Sequence, residues 1–235
     1  EINGEFSGEL EAYWDEVSID SPLTRAITGI AGGEPAVDYF DSMQPSGTAS
    51  ARAILTTQGD DILYNIEIVP ADLSATFHKR RAVAIFDSVK IPSANTIRFN
   101  NAGMHFDNLV GTLGEGVFSL DGEILSDETV EGAFDLTWSG PTGDDSLFAV
   151  LPSVVGDILV AIKIADGKSI LPNGEVIFKG EDWKDLSVEF KGDIALEEVS
   201  LNVGIPLRKI NGITRLVGAY NEEKLATLDM SIAVE

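Results

Sequence analysis

The side chains that could carry out chemistry in this sequence are few, and their spacing matches no catalytic or metal-binding motif. The chain has two histidines and no cysteine. His78 and His105 each stand at a polar position of a segment that otherwise alternates with apolar residues. A metal site or a general base needs a cluster of partner residues, and neither neighbourhood supplies one. We therefore expect both histidines at the surface or in a turn.

The 39 Asp and Glu residues are numerous enough for some pairs to lie close together in space. A hydrolase that uses a pair of carboxylates is therefore one hypothesis, and it is less favoured than the two binding functions considered below. Solvated acidic faces are the favoured interpretation. The run from Asp121 to Glu128 lacks the spacing of a calcium-binding loop. Gly-x-Ser-x-Gly, a phosphate-binding glycine loop and His-Glu-x-x-His are absent, and Ser46 is expected in a turn. These residues predict no catalytic activity, no metal and no cofactor.

The charge balance limits the partners. Lys and Arg number 16 against 39 acidic residues, which leaves a net charge of −23. Such a surface repels phosphate backbones, so nucleic acid is not an expected partner. The basic triplet Lys79-Arg80-Arg81 stands out against this background. A hairpin turn with solvated charge is the favoured interpretation, and the functional alternative is a contact with a lipid headgroup phosphate at the rim of a groove.

Composition is that of a globular chain, with 44% hydrophobic residues. No stretch approaches the roughly 20 apolar residues that span a bilayer, and the first residues, 1–4, do not resemble a secretory signal. We expect any targeting or membrane segment of the natural protein to be absent from this chain. The lack of cysteine excludes disulfides and thiolate metal sites but leaves the redox compartment open.

Three short helices are predicted, over residues 21–31, 34–43 and 145–155. The first begins at Ser21-Pro22, a capping residue followed by a first-turn proline. The second follows Glu34-Pro35, and the third follows Asp144-Asp145-Ser146. We expect these helices to cap the ends of a larger β structure.

Most of the remaining chain alternates apolar and polar residues, the two-residue period of strands with one dry face and one wet face. The candidates for one shared apolar face are Ile62, Tyr64, Ile66, Ile68, Phe77, Ile85 and Phe118. The order of events repeats loosely in two units, 1–125 and 126–235. Leu109-Val110-Gly111 and Leu216-Val217-Gly218 suggest a degenerate repeat of roughly 110 residues.

Alternation predicts a mainly β fold but leaves its architecture open. A second sheet could cover the dry face in a β-sandwich, or the sheet could close into a barrel. A third solution is a long antiparallel sheet that curves so that its apolar face lines a groove, taco-like and capped by the short helices. Such a groove would hold acyl chains, because burying apolar area is favourable whichever molecule supplies it.

The segment from Pro45-Ser46-Gly47 through Thr96–Gly111 to Gly116–Ile124 resembles the repeating unit of AsmA-like, TamB-related bacterial envelope proteins. Residues 204–218 repeat a looser version. The resemblance covers about residues 40–125 well and 145–235 loosely. It implies a non-catalytic, periplasmic or cell-envelope module with a β-groove that binds lipid in outer-envelope lipid homeostasis or transport. The family's membrane anchor is missing here, and the chain is much shorter than the bridge-forming members.

A different class of function is the alternative hypothesis. The chain could be a secreted or surface β-sandwich that binds carbohydrate or protein through its loops. Exposed aromatic residues would then form a stacking platform, with Tyr13, Trp14, Trp138 and Trp183 as the candidates. The sequence leaves the oligomeric state open.

Overall fold

The computed structural model describes most of the chain, namely residues 7–22, 24–26, 29, 37, 41, 44–59, 61–77, 82–86, 95–126, 129–143, 161, 163–181, 187–202, 204–221 and 224–234. Twelve antiparallel strands join in one sheet. They are β1 (Ser7–Ser18), β2 (Ser46–Gln58), β3 (Asp61–Phe77), β4 (Ala82–Phe86), β5 (Thr96–Asn100), β6 (Gly103–Leu113), β7 (Gly116–Ser126), β8 (Val130–Pro141), β9 (Lys168–Gly180), β10 (Ser187–Asn202), β11 (Pro206–Asn221) and β12 (Lys224–Val234).

The strands follow one another across the sheet as a meander, with one interruption. The order is β1-β2-β3-β4-β6-β7-β8-β9-β10-β11-β12, and β5 pairs with β3 and β6. The short strands β4 and β5 thus share the space between β3 and β6. The predicted long antiparallel, curved sheet is confirmed. Within the described residues no second sheet forms, so the sandwich alternative is not adopted there.

The register sorts the side chains into two faces, because residues directly opposite each other in a ladder point the same way. We call the face that carries Ile68, Ile97, Phe106, Phe134 and Phe190 the inner face. In the ladders Ile68 pairs with Ile97, and Ile97 with Phe106. The opposite face, which carries mostly polar and charged residues, is the outer face. Apolar residues of neighbouring strands therefore lie on the same face of the sheet.

Glycines on the inner face receive the large side chains of neighbouring strands. Gly132 lies opposite Phe178, and Gly218 lies opposite Phe190. A Cβ atom added at Gly132 would stand 2.2 Å from the Phe178 ring, and one at Gly218 would stand 2.3 Å from the Phe190 ring. The rings thus occupy the space that a side chain would fill. The rings therefore lie along the inner face, because each one extends over a glycine of the neighbouring strand.

Two bulges recur with the same construction. Asn108 in β6 and Glu198 in β10 both have positive φ, 45° and 53°. The Asn108 N–H donates to the Asp121 side chain, and the Glu198 N–H donates to the Asn211 side chain, both at 2.9 Å. A glycine follows each acceptor, and equivalent residues are separated by 90 positions, as in Asn108 and Glu198. The hairpins β6–β7 and β10–β11 are therefore built alike.

This spacing differs from the roughly 110 residues predicted from the two Leu-Val-Gly tripeptides. The tripeptides lie in β6 and β11, which run in opposite directions in the meander, whereas the matching bulges lie in β6 and β10. The sheet continues across residue 125, because Ser126 pairs with Val130 in the β7–β8 ladder. The division into units 1–125 and 126–235 stays a prediction.

Only part of the predicted helices can be described. Pro22, residues 24–26 and Gly29 are helical, as are Val37 and Asp41. The predicted cap is confirmed, since the Thr24 N–H donates to Ser21 Oγ at 3.2 Å. The rest of 21–31 and 34–43, and all of 145–155, lie outside the described residues.

Among the described residues, buried apolar side chains pack together near the β1 end of the sheet. One cluster joins Ile19, Ala49 and Leu73, with Ile68 packed against it. The accessible surface is 14050 Å², whereas a compact monomer of 25.1 kDa would expose about 10,300 Å². A single layer of strands contributes to this surface, because a sheet without a second layer exposes both faces.

Replacing Gly132 with alanine tests the ring packing. We expect Gly132→Ala to lower the free energy of unfolding by about 1–3 kcal/mol, because the new methyl overlaps the Phe178 ring. Urea denaturation of Gly132→Ala, Phe178→Leu and the double variant measures this. The double variant should lose less than the sum of the single losses, since leucine vacates the contested space. Additive losses would contradict the arrangement.

Candidate functional site

The inner face contains most of the residues predicted to line a groove. Ile62, Tyr64, Ile66 and Ile68 share this face of β3, as their alternation predicted, and they lie opposite Thr57, Leu55, Ala53 and Ala51 of β2. Ile66 is buried, Tyr64 and Ile68 are half-buried, and Ile62, near the start of the strand, is 62% exposed. Burial raises the pKa of the Tyr64 phenol. The four residues form a continuous apolar patch.

The remaining predicted residues are distributed differently. Phe118 is half-buried on the inner face, opposite Gly111 and Trp138. Phe77 and Ile85 lie in β3 and β4, at ladder positions opposite Ala82 and Ser74, respectively. Ile85 also pairs with Thr112, a position of the outer-face row. The headgroup candidates Lys79, Arg80 and Arg81, and also His78, lie outside the described residues.

Aromatic rings form a row across the middle of the inner face. The centroids of Phe106 and Phe134 are 5.5 Å apart in an edge-to-face arrangement, and those of Phe134 and Phe178 are 5.6 Å apart. These rings come from β6, β8 and β9, so the row runs perpendicular to the strands. Such pairs add to the stabilisation from area burial. The row was not predicted from the sequence, because only the strand register brings these residues together.

Trp138 is the most buried of the described aromatic residues proposed for a stacking platform. It is 6% exposed, and its indole N–H donates to Ser169 Oγ at 3.0 Å. Its ring covers Gly116 of β7 and Gly140 of its own strand. Tyr13 is 65% exposed on the outer face, and the next residue, Trp14, belongs to the inner face. The described aromatic candidates therefore do not form one platform, and Trp183 lies outside the described residues.

The end of the inner face near β1 has small side chains. Ala12 pairs with Ala53, and Trp14 pairs with Ala51. A narrow apolar crevice lies there, lined by Trp14, Val17, Ile19, Thr24, Ala49, Ala51 and Ile68. The inner face is thus bordered by alanines at this end and dominated by rings at its centre.

The outer face carries ion pairs that join neighbouring strands. Arg52 contacts Glu11 at 2.6 Å and Glu67 at 3.8 Å. The other pairs are Arg98–Asp107, His105–Glu123, Lys179–Glu131, Lys191–Glu175 and Arg215–Asp193. Each joins directly opposite or diagonal positions, where opposite charges favour strand pairing. The outer face is therefore the wet side of the sheet.

Several outer-face pKa values follow from these contacts. The hydrogen bonds from Tyr13 and Arg52 lower the pKa of Glu11. The Lys179 ammonium lowers the pKa of Glu131, and the Arg215 guanidinium lowers the pKa of Asp193. The Asp107 carboxylate raises the pKa of Arg98. These groups keep their charges at neutral pH, which favours a hydrated face.

His105, the histidine that the structure describes, has polar partners on both ring nitrogens. His105 Nδ1 lies 3.1 Å from Glu123, and its Nε2 lies 3.2 Å from the Asn100 amide nitrogen. In the described part of the chain, no three His, Asp or Glu residues come close enough to hold a metal ion. The inner face offers apolar contact instead.

An open cleft lies at one end of the sheet. It has a volume of about 380 Å³ and is lined by Gly114, Glu115, Pro141, Gly143, Asp166 and Gly167. The β6–β7 turn, the end of β8 and the approach to β9 meet at this point. Its lining supplies backbone groups and two carboxylates.

The row of rings on the apolar inner face is the most distinctive feature of the described sheet. Comparison of the chain with family models, curated proteins and solved structures finds no match. The inner face must therefore be interpreted from its own side chains. Among the described residues, no helix is both long enough and apolar enough to span a bilayer.

The Asp193–Arg215 pair gives a test in the dependence of stability on pH. The pKa of Asp193 is lowered from its ordinary value of 3.8, so folding favours the ionised carboxylate. The contribution is complete above about pH 4 and is lost as the pH falls through the lower native pKa. We expect Asp193→Asn to reduce stability at pH 7 and to match the wild type in strong acid.

Chemical denaturation of both proteins between pH 2 and pH 7 measures this difference. Glu9→Gln is the control, because Glu9 lies on the outer face opposite Thr56 and has Ile54 and Gln58, not a cation, at the diagonal positions. A constant difference between Asp193→Asn and the wild type at every pH would contradict the ion-pair explanation.

Proposed function

We propose that this chain is a non-catalytic lipid-binding module whose inner face receives hydrocarbon chains. The observation that carries the proposal is the apolar inner face, which extends across the sheet without a second sheet over it in the described residues. Eleven strands on the main path, at steps of roughly 4.8 Å, give this face a length of roughly 48 Å along the sheet. A face of this length suits an elongated apolar ligand.

The fold leaves part of the apolar area of the inner face uncovered. Burying apolar surface contributes roughly 25 cal/mol per Å², and exposed apolar patches of several hundred Å² commonly mark interaction sites. The inner-face residues Phe134, Val176 and Phe178 are only half-buried. A hydrocarbon chain could therefore complete their burial without breaking any hydrogen bond of the sheet.

The contrast between the two faces supports an oriented ligand. The outer face is joined by ion pairs such as Lys191–Glu175, at 2.8 Å, and burying these charges would be unfavourable. The inner face has no corresponding row of ion pairs among the described residues. Hydrocarbon would therefore be received on one side, while water solvates the other.

Two finer points belong to the same proposal. The phosphate of a lipid headgroup would be bound at the rim by Lys79, Arg80 and Arg81. These three residues form a cluster of positive charge in a chain whose net charge is −23. The resemblance to AsmA-like proteins supports a periplasmic or cell-envelope location and a role in lipid homeostasis or transport. The alternative function is the binding of carbohydrate or protein at an extracellular location. A glycan array tests the carbohydrate-binding form of this alternative.

The first experiment asks whether the purified chain carries lipid. After purification without detergent, organic extraction and mass spectrometry should find lipid in near-stoichiometric amount. Protein without lipid, and without uptake of a fluorescent fatty acid added at increasing concentration, would overturn the proposal.

The second experiment locates the lipid on one face. A photoreactive benzoylphenylalanine replaces Val176 on the inner face or Ile177 on the outer face, adjacent positions of β9. After irradiation with a radiolabelled fatty acid, we expect at least a ten-fold higher cross-linked yield at 176 than at 177. Circular dichroism checks that both variants fold alike. Equal yields would show that binding does not use the inner face.

A further inference from the structure

The two edges of the sheet differ in their protection against pairing with another strand. The sheet order begins with β1 and ends with β12, and in the described chain each has a hydrogen-bonded neighbour on one side only. The outward N–H and C=O groups of an edge strand are a template for a further strand. Natural sheets protect such edges with charges, prolines or bulges.

Edge strand β1 carries that protection. It contains four carboxylates, those of Glu9, Glu11, Asp15 and Glu16. Its ladder with β2 shifts register between Trp14 and Val17, and Glu16 adopts a positive φ of 54°. A strand from a second copy of this acidic chain would be repelled by these carboxylates. It would also have to pair with an irregular backbone. The edge is therefore poorly suited to pairing.

Edge strand β12 lacks these features. From Leu225 to Val234 it has no proline and only one charged residue, Asp229. Its ladder with β11 is regular from Ala219–Thr227 to Gly212–Val234. The exposed outer-face residues here are Thr227, Asp229, Ser231 and Ala233, which are small enough to admit a neighbouring strand. The free edge is thus long, regular and nearly uncharged.

We propose that β12 pairs antiparallel with β12 of a second copy of this chain, which joins two sheets edge to edge. A two-fold axis makes the same strand serve as both partners. Two copies, each with a net charge of −23, repel each other, so contact is least unfavourable where carboxylates are fewest. With the axis perpendicular to the sheet, the inner faces of both copies lie on the same side and form one longer apolar surface.

Sedimentation equilibrium tests the association. We expect a mass of about twice 25.1 kDa at high protein concentration, with tighter association as salt screens the repulsion. Thr227→Glu with Ser231→Glu should weaken dimerisation at least ten-fold, because it places like charges across the two-fold axis. Thr137→Glu with Leu63→Glu adds the same charge to the outer face of β8 and β3, away from β12, and should leave dimerisation within about two-fold.

Cysteine scanning identifies the paired edge, because the chain has no cysteine of its own. Single variants Thr227→Cys, Asp229→Cys, Ser231→Cys and Ala233→Cys are oxidised, with Glu9→Cys as the control on β1. Disulfide dimers should form efficiently at the β12 position nearest the axis and not at residue 9. A monomer at all salt and protein concentrations, or preferential cross-linking through β1, would overturn the proposal whether or not the chain binds lipid.

Discussion

The structure depends on one constraint: a single layer of strands must stabilise an apolar face without a second sheet among the described residues to bury it. One consequence is the way that rings lie across glycines of neighbouring strands. Phe178 over Gly132 and Phe190 over Gly218 gain contacts within the sheet that a second layer would otherwise supply.

The sequence predicted the local features of the fold well. The alternation of Ile62, Tyr64, Ile66 and Ile68 predicted their common face, because that pattern depends only on the two-residue period of a strand. The architecture was left open, since the inner strands of a sandwich and of an open sheet alternate in the same way. Similarly, the cap at Ser21 could be predicted because capping uses neighbouring residues.

The tertiary features were harder to predict, and the reasons are physical. Phe106, Phe134 and Phe178 meet only through the register of three different ladders, and no local pattern encodes that register. The register of the β2–β3 ladder shifts between Thr48 and Ala49. A two-residue alternation extended from Ile68 along β3, and across the ladder with β4 to Ile85, therefore assigns Ile85 to the wrong face of the sheet. The glycines were the available signal, because a strand glycine often marks close approach by a neighbour.

The repeated hairpins connect this construction to the proposed function. A meander lengthens its inner face by adding hairpins, and the bulges at Asn108 and Glu198 are closed by the same side-chain hydrogen bond. Such a face repeats similar apolar contacts from strand to strand instead of forming one closed pocket. The contacts nevertheless change along the face, from alanines near β1 to rings at the centre. The hydrocarbon ligand of the proposed function would therefore bind with different free energies at the two places.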